Sequence, residues 1–224
     1  MLTEAIILAG GLGTRLKDIS GDTPKPLVPV SGKPFVYYIM DNLVHQGISH
    51  IVFAISYQSD FFIDQIGEVY KGVKISYSVE KKALGTGGAI KQALDLCNSE
   101  HVLVTNGDTY VDIDLPVFYE NHISFNKSVS IALVNVVDVA RYGSVKLSGS
   151  DIVGFSEKGR SGSGLINGGM YLINKEKSSL NSGAYSFEDV FLKQKYPLIN
   201  PFICNGFFID IGIPSDYFKA CEVF

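Results

Sequence analysis

At 224 residues and 46% apolar content, the chain can bury one large α/β domain or a core with a small appended lobe. A net charge of -4, without any run of lysine or arginine, excludes a nucleic-acid surface; phosphorylated small molecules, which answer to local charge, stay open. No apolar run approaches the roughly 18 residues of a membrane span, and the first apolar stretch is too short and lacks the basic flank of a signal peptide. A cytoplasmic location is the expectation. The three cysteines, Cys97, Cys204 and Cys221, form no C-x-x-C pair and read as reduced buried thiols. The four histidines, His45, His50, His101 and His122, lack zinc-site spacing and are assigned no chemistry.

The first predicted element is the apolar run Ala5-Ile6-Ile7-Leu8-Ala9, a buried parallel strand that breaks into Gly10-Gly11-Leu12-Gly13-Thr14-Arg15-Leu16. Glycines at a strand end let backbone N–H groups approach an anion, and Arg15 adds an always-charged fork suited to phosphate. The stretch lacks the third glycine of a dinucleotide fingerprint and the Gly-Lys-Ser/Thr of a Walker loop, so neither motif applies. It reads as a nucleoside triphosphate cradle, the alternative being a plain connecting turn. Residues 23–34 follow, with four prolines in eleven residues holding the backbone extended around Lys25. A fixed lysine beside a glycine cradle suits phosphoryl or nucleotidyl transfer; a solvated loop lysine is the bland alternative.

Further on, a helix is predicted over 34–47, a strand over 50–55, a helix over 59–68 and a strand over 73–78, the rhythm of a doubly wound parallel sheet. Glu80 to Ala89 is glycine-rich and leads into a helix over 88–96, where small residues permit flat contact with a ring or with phosphates. The fourth strand opens at His101 and runs into Asn106-Gly107-Asp108-Thr109. A carboxylate there sits where ligands bind in open α/β sheets and suits Mg²⁺, although Asn-Gly-Asp is also ordinary turn chemistry. A helix over 115–126 and a strand over 129–136 precede a hairpin over 143–155. Residues 159–164 read as a flexible polar loop able to close over an acceptor. A strand over 166–173 carries a glycine pair marking a bulge or a close ligand. Ser186 caps a helix start, and residues 206–217 form a closing strand and helix with Asp210 at the strand end.

The string from Leu8 to Leu16 followed by Pro24-Lys25-Pro26-Leu27, with the later stretches in the same order, resembles the sugar-1-phosphate nucleotidyltransferase family. The resemblance covers essentially the whole chain. It implies an α/β, doubly wound, mostly parallel Rossmann-like sheet with a small antiparallel sugar-binding lobe. The nucleotide-binding part would span about 1–135 of a single domain, and the sugar-binding part with the closing strand about 136–224. The implied reaction moves a nucleoside monophosphate from NTP to a sugar 1-phosphate. Its implied catalytic residues are Arg15, Lys25 and Asp108, with Mg²⁺ on Asp108 and Asp210. The nucleotide would lie against Leu8, Ala9, Gly10, Gly11, Gly13 and Thr14, and against Arg15, Lys25, Glu80, Gly85, Thr86 and Gly107. The sugar phosphate would meet Glu157, Lys158, Asn167, Gly168 and Glu188, although Glu157-Lys158 could equally be a surface ion pair and Glu188 a helix-dipole partner. Within the family, the short length and the stretch Leu84 to Ala89 most resemble members that use GTP and a heptose 1-phosphate. Enzymes of mannose, glucose and N-acetylmuramate 1-phosphates are the nearest alternatives, and a non-catalytic nucleotide-sugar sensor is one of another class. Homo-oligomerisation stays open.

Overall fold

Ala5, Ile6 and Ile7 of the opening strand β1 (Glu4–Leu8) are all 0% exposed, so this strand is covered on both faces, as its unbroken apolar run requires. The computed structural model describes every residue except Leu12, Gly13, Tyr57, Glu157 and Arg160. In chain order, β1 is followed by α1 (Lys17–Ser20), β2 (Pro29–Val30), β3 (Lys33–Pro34), α2 (Phe35–His45), β4 (His50–Ile55), α3 (Ser59–Ile66), β5 (Val69–Tyr70) and β6 (Val73–Val79). Then come α4 (Gly85–Leu94), β7 (His101–Asn106), β8 (Thr109–Val111), α5 (Leu115–Phe125) and β9 (Val129–Val136). The last part holds β10 (Val145–Ser148), β11 (Asp151–Phe155), β12 (Gly164–Asn174), a π-helix (Phe187–Leu192), α6 (Lys193–Lys195), β13 (Ile199–Cys204), β14 (Phe208–Asp210) and α7 (Pro214–Val223).

The central sheet has eight strands in the order β13-β9-β12-β7-β1-β4-β6-β5. Parallel pairing joins β6, β4, β1 and β7, and joins β9 to β13, while β12 runs antiparallel to both its neighbours. Alternation along β1 assigns its side chains to two layers. Ile7 packs with Phe35, Ile39, Phe62 and Phe118, and Ile6 packs with Ile90, Ala93, Phe187 and Leu192. Helices α2, α3 and α5 therefore cover one face, and α4 with the π-helix covers the other, the doubly wound arrangement expected from the strand-helix rhythm.

The departures from the expected elements have local causes. Lys25 is not in extended backbone but opens a 3-10 turn, Lys25–Leu27, closed by Leu27 N–H to Pro24 C=O at 2.8 Å. Pro26 fits such a first turn because its missing N–H would have had no partner there. Helix α4 begins at Gly85 rather than Gly88, and its Gly87 N–H donates to Tyr185 C=O at 3.0 Å. Beyond the turn at Asn106-Gly107-Asp108 lies a strand the sequence did not suggest: β8 pairs antiparallel with β14, aligning Thr109 with Asp210. The glycine pair in β12 does mark a bulge, the register shifting between Asn167 and Tyr171. The hairpin β10-β11 forms as expected, turning between Ser148 and Asp151. Among the described residues no helix is long and apolar enough to cross a membrane.

A buried polar chain ties α5 to the sheet. His122 is 1% exposed, its Nδ1 lies 2.7 Å from Ser130 Oγ, and its Nε2 lies 3.1 Å from His101 Nδ1. Burial, reinforced by the neighbouring His101, lowers the His122 pKa to about 4. A depressed histidine pKa favours the fold above the unfolded value, and that stability is lost as pH falls from about 6.5 towards 4. The wild type is expected to lose about 2 kcal/mol through this group at pH 5. Urea denaturation at pH 7 and 5 checks it: His122→Gln should flatten the acid loss, and parallel pH curves for the two proteins would disprove it.

Candidate active site

A cleft of about 480 Å³ opens at the carboxyl ends of β1, β4 and β7, the side of a parallel sheet where loops diverge and leave room. The chain enters it directly from β1. Ala9 N–H donates to Ala54 C=O at 2.8 Å, Gly107 N–H donates to Leu8 C=O at 2.8 Å, and Ser56 Oγ donates to Gly10 C=O at 2.6 Å. Leu8, Ala9, Gly10 and Gly11 thus form the floor and near wall, with Arg15 reaching the cleft from the 3-10 turn Thr14–Leu16. Gly107 serves beneath the wall by bonding to Leu8 and does not line it. Gly13 lies outside the described residues.

The opposite wall comes from the turn into α4. Glu80 Oε2 accepts Leu84 N–H at 2.8 Å, and burial raises the Glu80 pKa despite that bond. Gly85 and Thr86 complete this wall. Gly85 adopts φ +65°, and a Cβ there would sit 2.5 Å from Tyr185 C=O, so the position requires glycine to let residues 183–185 pack against the helix start. The sequence expectation that small residues here leave room for a planar ring accounts for only part of the pattern. Thr86 Oγ1 donates to Glu188 Oε2 at 2.5 Å and accepts Phe187 N–H at 2.8 Å, which fixes Glu188 at the cleft wall.

At the inner end stand the charges. Lys25 is 8% exposed, and its ammonium is ion-paired with Asp108 Oδ2 and lies 3.7 Å from Asp210 Oδ1. The β8-β14 pairing is what carries residues 108 and 210, about a hundred positions apart, to this one cation. Gly212 N–H donates to Asp210 Oδ1 at 2.6 Å, and a Cβ on Gly212 would lie 2.6 Å from that oxygen, so a larger residue there would push the Asp210 carboxylate out of place. Burial first, then the like charge of Asp108, raises the Asp210 pKa; Lys25, Gly212 N–H and Arg141 oppose the rise. Asp210 lines a neighbouring cavity of about 500 Å³ rather than the cleft itself, and meets Lys25 from behind the wall.

The residues expected at the sugar divide. Glu188 is in the cleft wall. Asn167 Nδ2 donates to Tyr171 Oη at 2.7 Å, and Tyr171 Oη donates to Glu188 Oε1 at 3.5 Å, so Asn167 reaches the cleft only through those two. Gly168 packs against Val134 and Ala132 beneath the surface. Lys158 is exposed, close enough to Asp189 to help hold that carboxyl below its usual range, after Lys193 and Ser186. Glu157 lies outside the described residues. Among the described residues of the 159–164 loop, Gly159 N–H donates to Ala140 C=O at 2.7 Å, Gly162 N–H donates to Asp138 Oδ1 at 3.2 Å, and Gly162 C=O accepts Val139 N–H at 2.9 Å. Ser56, Asn106 and Gly212 also line or shape the site, but only the sequence position after Asp210 could have suggested Gly212.

A lysine thus stands between two carboxylates, facing a glycine turn at the carboxyl edge of a parallel sheet. The family model described as nucleotidyl transferase matches residues 4–222. The chain belongs to this family. Among nucleotidyl transferases it is 43% identical to D-glycero-alpha-D-manno-heptose 1-phosphate guanylyltransferase of Aneurinibacillus thermoaerophilus, over 97% of this chain and 96% of that protein. It is 42% identical to the enzyme of the same name from Campylobacter jejuni, over 96% of this chain and 97% of that one. The structure of HddC from Yersinia pseudotuberculosis complexed with GMP-PN superposes with a TM-score of 0.88 at 42% identity, covering 100% of both chains. Among the described residues no group of three or more His, Cys, Asp or Glu side chains could hold a metal; the carboxylates that converge on Lys25 are two, Asp108 and Asp210.

Proposed function

We propose that the chain transfers GMP from GTP to D-glycero-alpha-D-manno-heptose 1-phosphate, giving the GDP-sugar and pyrophosphate. The observation that carries the reading is Lys25 held between Asp108 and Asp210 at the inner end of the cleft. An oxygen of the sugar phosphate attacks the α-phosphorus in line, the bond from that phosphorus to the β-phosphate oxygen breaks, and pyrophosphate departs with the electron pair. No covalent enzyme intermediate is needed, so the protein's task is positioning and charge stabilisation. Lys25 offsets charge on the α-phosphoryl oxygens, Arg15 holds the departing pyrophosphate, and the floor from Leu8 to Gly11 brings backbone N–H groups to the phosphates. Glu80, Gly85 and Thr86 edge the base. Glu188, supported through Tyr171 and Asn167, and Glu157 accept hydrogen bonds from sugar hydroxyls, while Lys158 meets the sugar phosphate. GTP and heptose are supported by the names of the relatives at 42–43% identity and by the GMP-PN complex.

The donor set fits Mg²⁺. Two hard carboxylates converge on one point, and burial first, then the like charge of Asp108, raises the pKa of Asp210. Asp108 and Asp210 would hold the ion, which supplies neutralisation of the phosphate oxygens when bound. Pyrophosphate release across four NTPs and several sugar 1-phosphates, with and without Mg²⁺, tests the whole assignment. Turnover is expected with GTP, heptose 1-phosphate and Mg²⁺ together, and activity confined to UTP or dTTP would overturn the guanylyl reading.

A further inference from the structure

In the wall of the neighbouring cavity stands Arg141, to which the reaction as described gives no role. Its guanidinium is ion-paired through Nη1 with Asp216, in the first turn of α7, and lies 3.4 Å through Nη2 from Asp210 Oδ2. The same group sits 4.7 Å from the centre of the Tyr142 ring, and Tyr142 meets Phe208 edge-on at 5.8 Å. The turn that carries Arg141 is itself fixed, with Tyr142 and Gly143 N–H both donating to Val139 C=O at 3.0 and 2.9 Å. Asp210 is therefore gripped from two sides: Oδ1 by Gly212 N–H and Lys25, Oδ2 by Arg141.

We propose that Arg141 is a positioning residue, a strut between Asp210 and Asp216 that fixes the carboxylate plane of Asp210 toward Lys25 and the divalent cation. The inference rests on the nucleotidyl-transfer reading of Asp210. A planar, two-pronged cation suits the task because its donors point in fixed directions, whereas those of a lysine ammonium rotate. Partners that orient a ligating carboxylate in this way commonly govern metal affinity or activity by about ten- to a hundredfold.

Charge and geometry make opposite claims here, which gives the test its sign. Removing a positive charge beside Asp108 and Asp210 leaves Asp216 unpaired and makes the site more negative, so a purely electrostatic role means that Arg141→Met tightens a divalent cation. A positioning role means that it loosens one. Mn²⁺ alone, titrated into the full-length protein and followed by electron paramagnetic resonance, should bind about tenfold more weakly to Arg141→Met. Its kcat should fall about ten- to a hundredfold with the KM for GTP near the wild-type value. Arg141→Lys should restore charge but only part of the kcat, and Asp216→Asn, which frees the far end of the strut, should weaken Mn²⁺ in the same direction should Arg141→Met not fold. Tighter or unchanged Mn²⁺ binding in both Arg141→Met and Asp216→Asn overturns the proposal, as does full kcat in Arg141→Lys. The Mn²⁺ titration does not depend on turnover, so a wild type that released no pyrophosphate from any NTP would refute the reaction while still deciding the role of Arg141.

Discussion

Lys25→Met is expected to lower kcat by about a hundred- to a thousandfold while leaving the KM for GTP within a few-fold. The asymmetry follows from where the ammonium sits. The glycine floor and Arg15 bind the triphosphate in the ground state, whereas a cation at the inner end of the cleft, against Asp108 and Asp210, is placed for the charge that grows on the α-phosphoryl oxygens as the bonds exchange. A methionine keeps the aliphatic packing of this 8%-exposed side chain and removes only its charge. It also leaves Asp108 and Asp210 without the cation between them, so the folded state should lose about 3 kcal/mol. Arginine is not expected to rescue the enzyme. A planar, delocalised guanidinium does not reproduce the compact point charge that the ammonium sets against Asp108 and Asp210. Pyrophosphate release under saturating GTP, read beside thermal unfolding of the same samples, separates the two effects; a Lys25→Met enzyme with near-normal kcat would remove Lys25 from the mechanism.

How far the sequence carried this picture varies along the chain. The strand-to-glycine transition at Leu8 to Gly11 was readable because a fully buried strand must be apolar throughout, and the end of such a run fixes where the ligand side of the sheet begins. Lys25, Asp108 and Asp210 were each readable as candidates from their neighbours. That they meet was expected through the family resemblance, which puts Mg²⁺ on Asp108 and Asp210, but the pairing that brings it about was not readable, because β8 is a three-residue strand too short to announce itself by alternation. The same limit hid Arg141, whose partners lie 69 and 75 residues away and whose surroundings resemble any surface turn. The glycines of Gly85 to Gly88 were noticed, but part of their cause lies in the distant segment 183–185 that packs on them, and no local pattern signals a steric demand of that kind. Asn167 shows the converse: its position was marked by the bulge, yet both ends of its amide are spent inside the protein, on Tyr171 and on Gly169 N–H.

Asp210→Asn is expected to make the protein more stable and nearly inactive. Burial and the charge of Asp108 both disfavour ionised Asp210 in the fold, so the wild type at neutral pH holds a carboxylate there against its preference. Replacing it with the isosteric amide removes that cost without orphaning either neighbouring cation, since Lys25 keeps Asp108 and Arg141 keeps Asp216. Asn Oδ1 can still accept the Gly212 N–H, so the turn at 210–212 survives. A gain of about 1 kcal/mol in unfolding free energy is therefore expected at pH 7, of the size seen when a functional charge is relieved. Turnover should fall by about a hundredfold or more, because an amide neither offers a full charge to a divalent cation nor balances Lys25. Denaturant midpoints and pyrophosphate release measured on one preparation decide the matter. A variant that is both less stable and inactive would mean that Asp210 is chiefly a structural anchor for β14, and one that is more stable yet fully active would place the cation elsewhere.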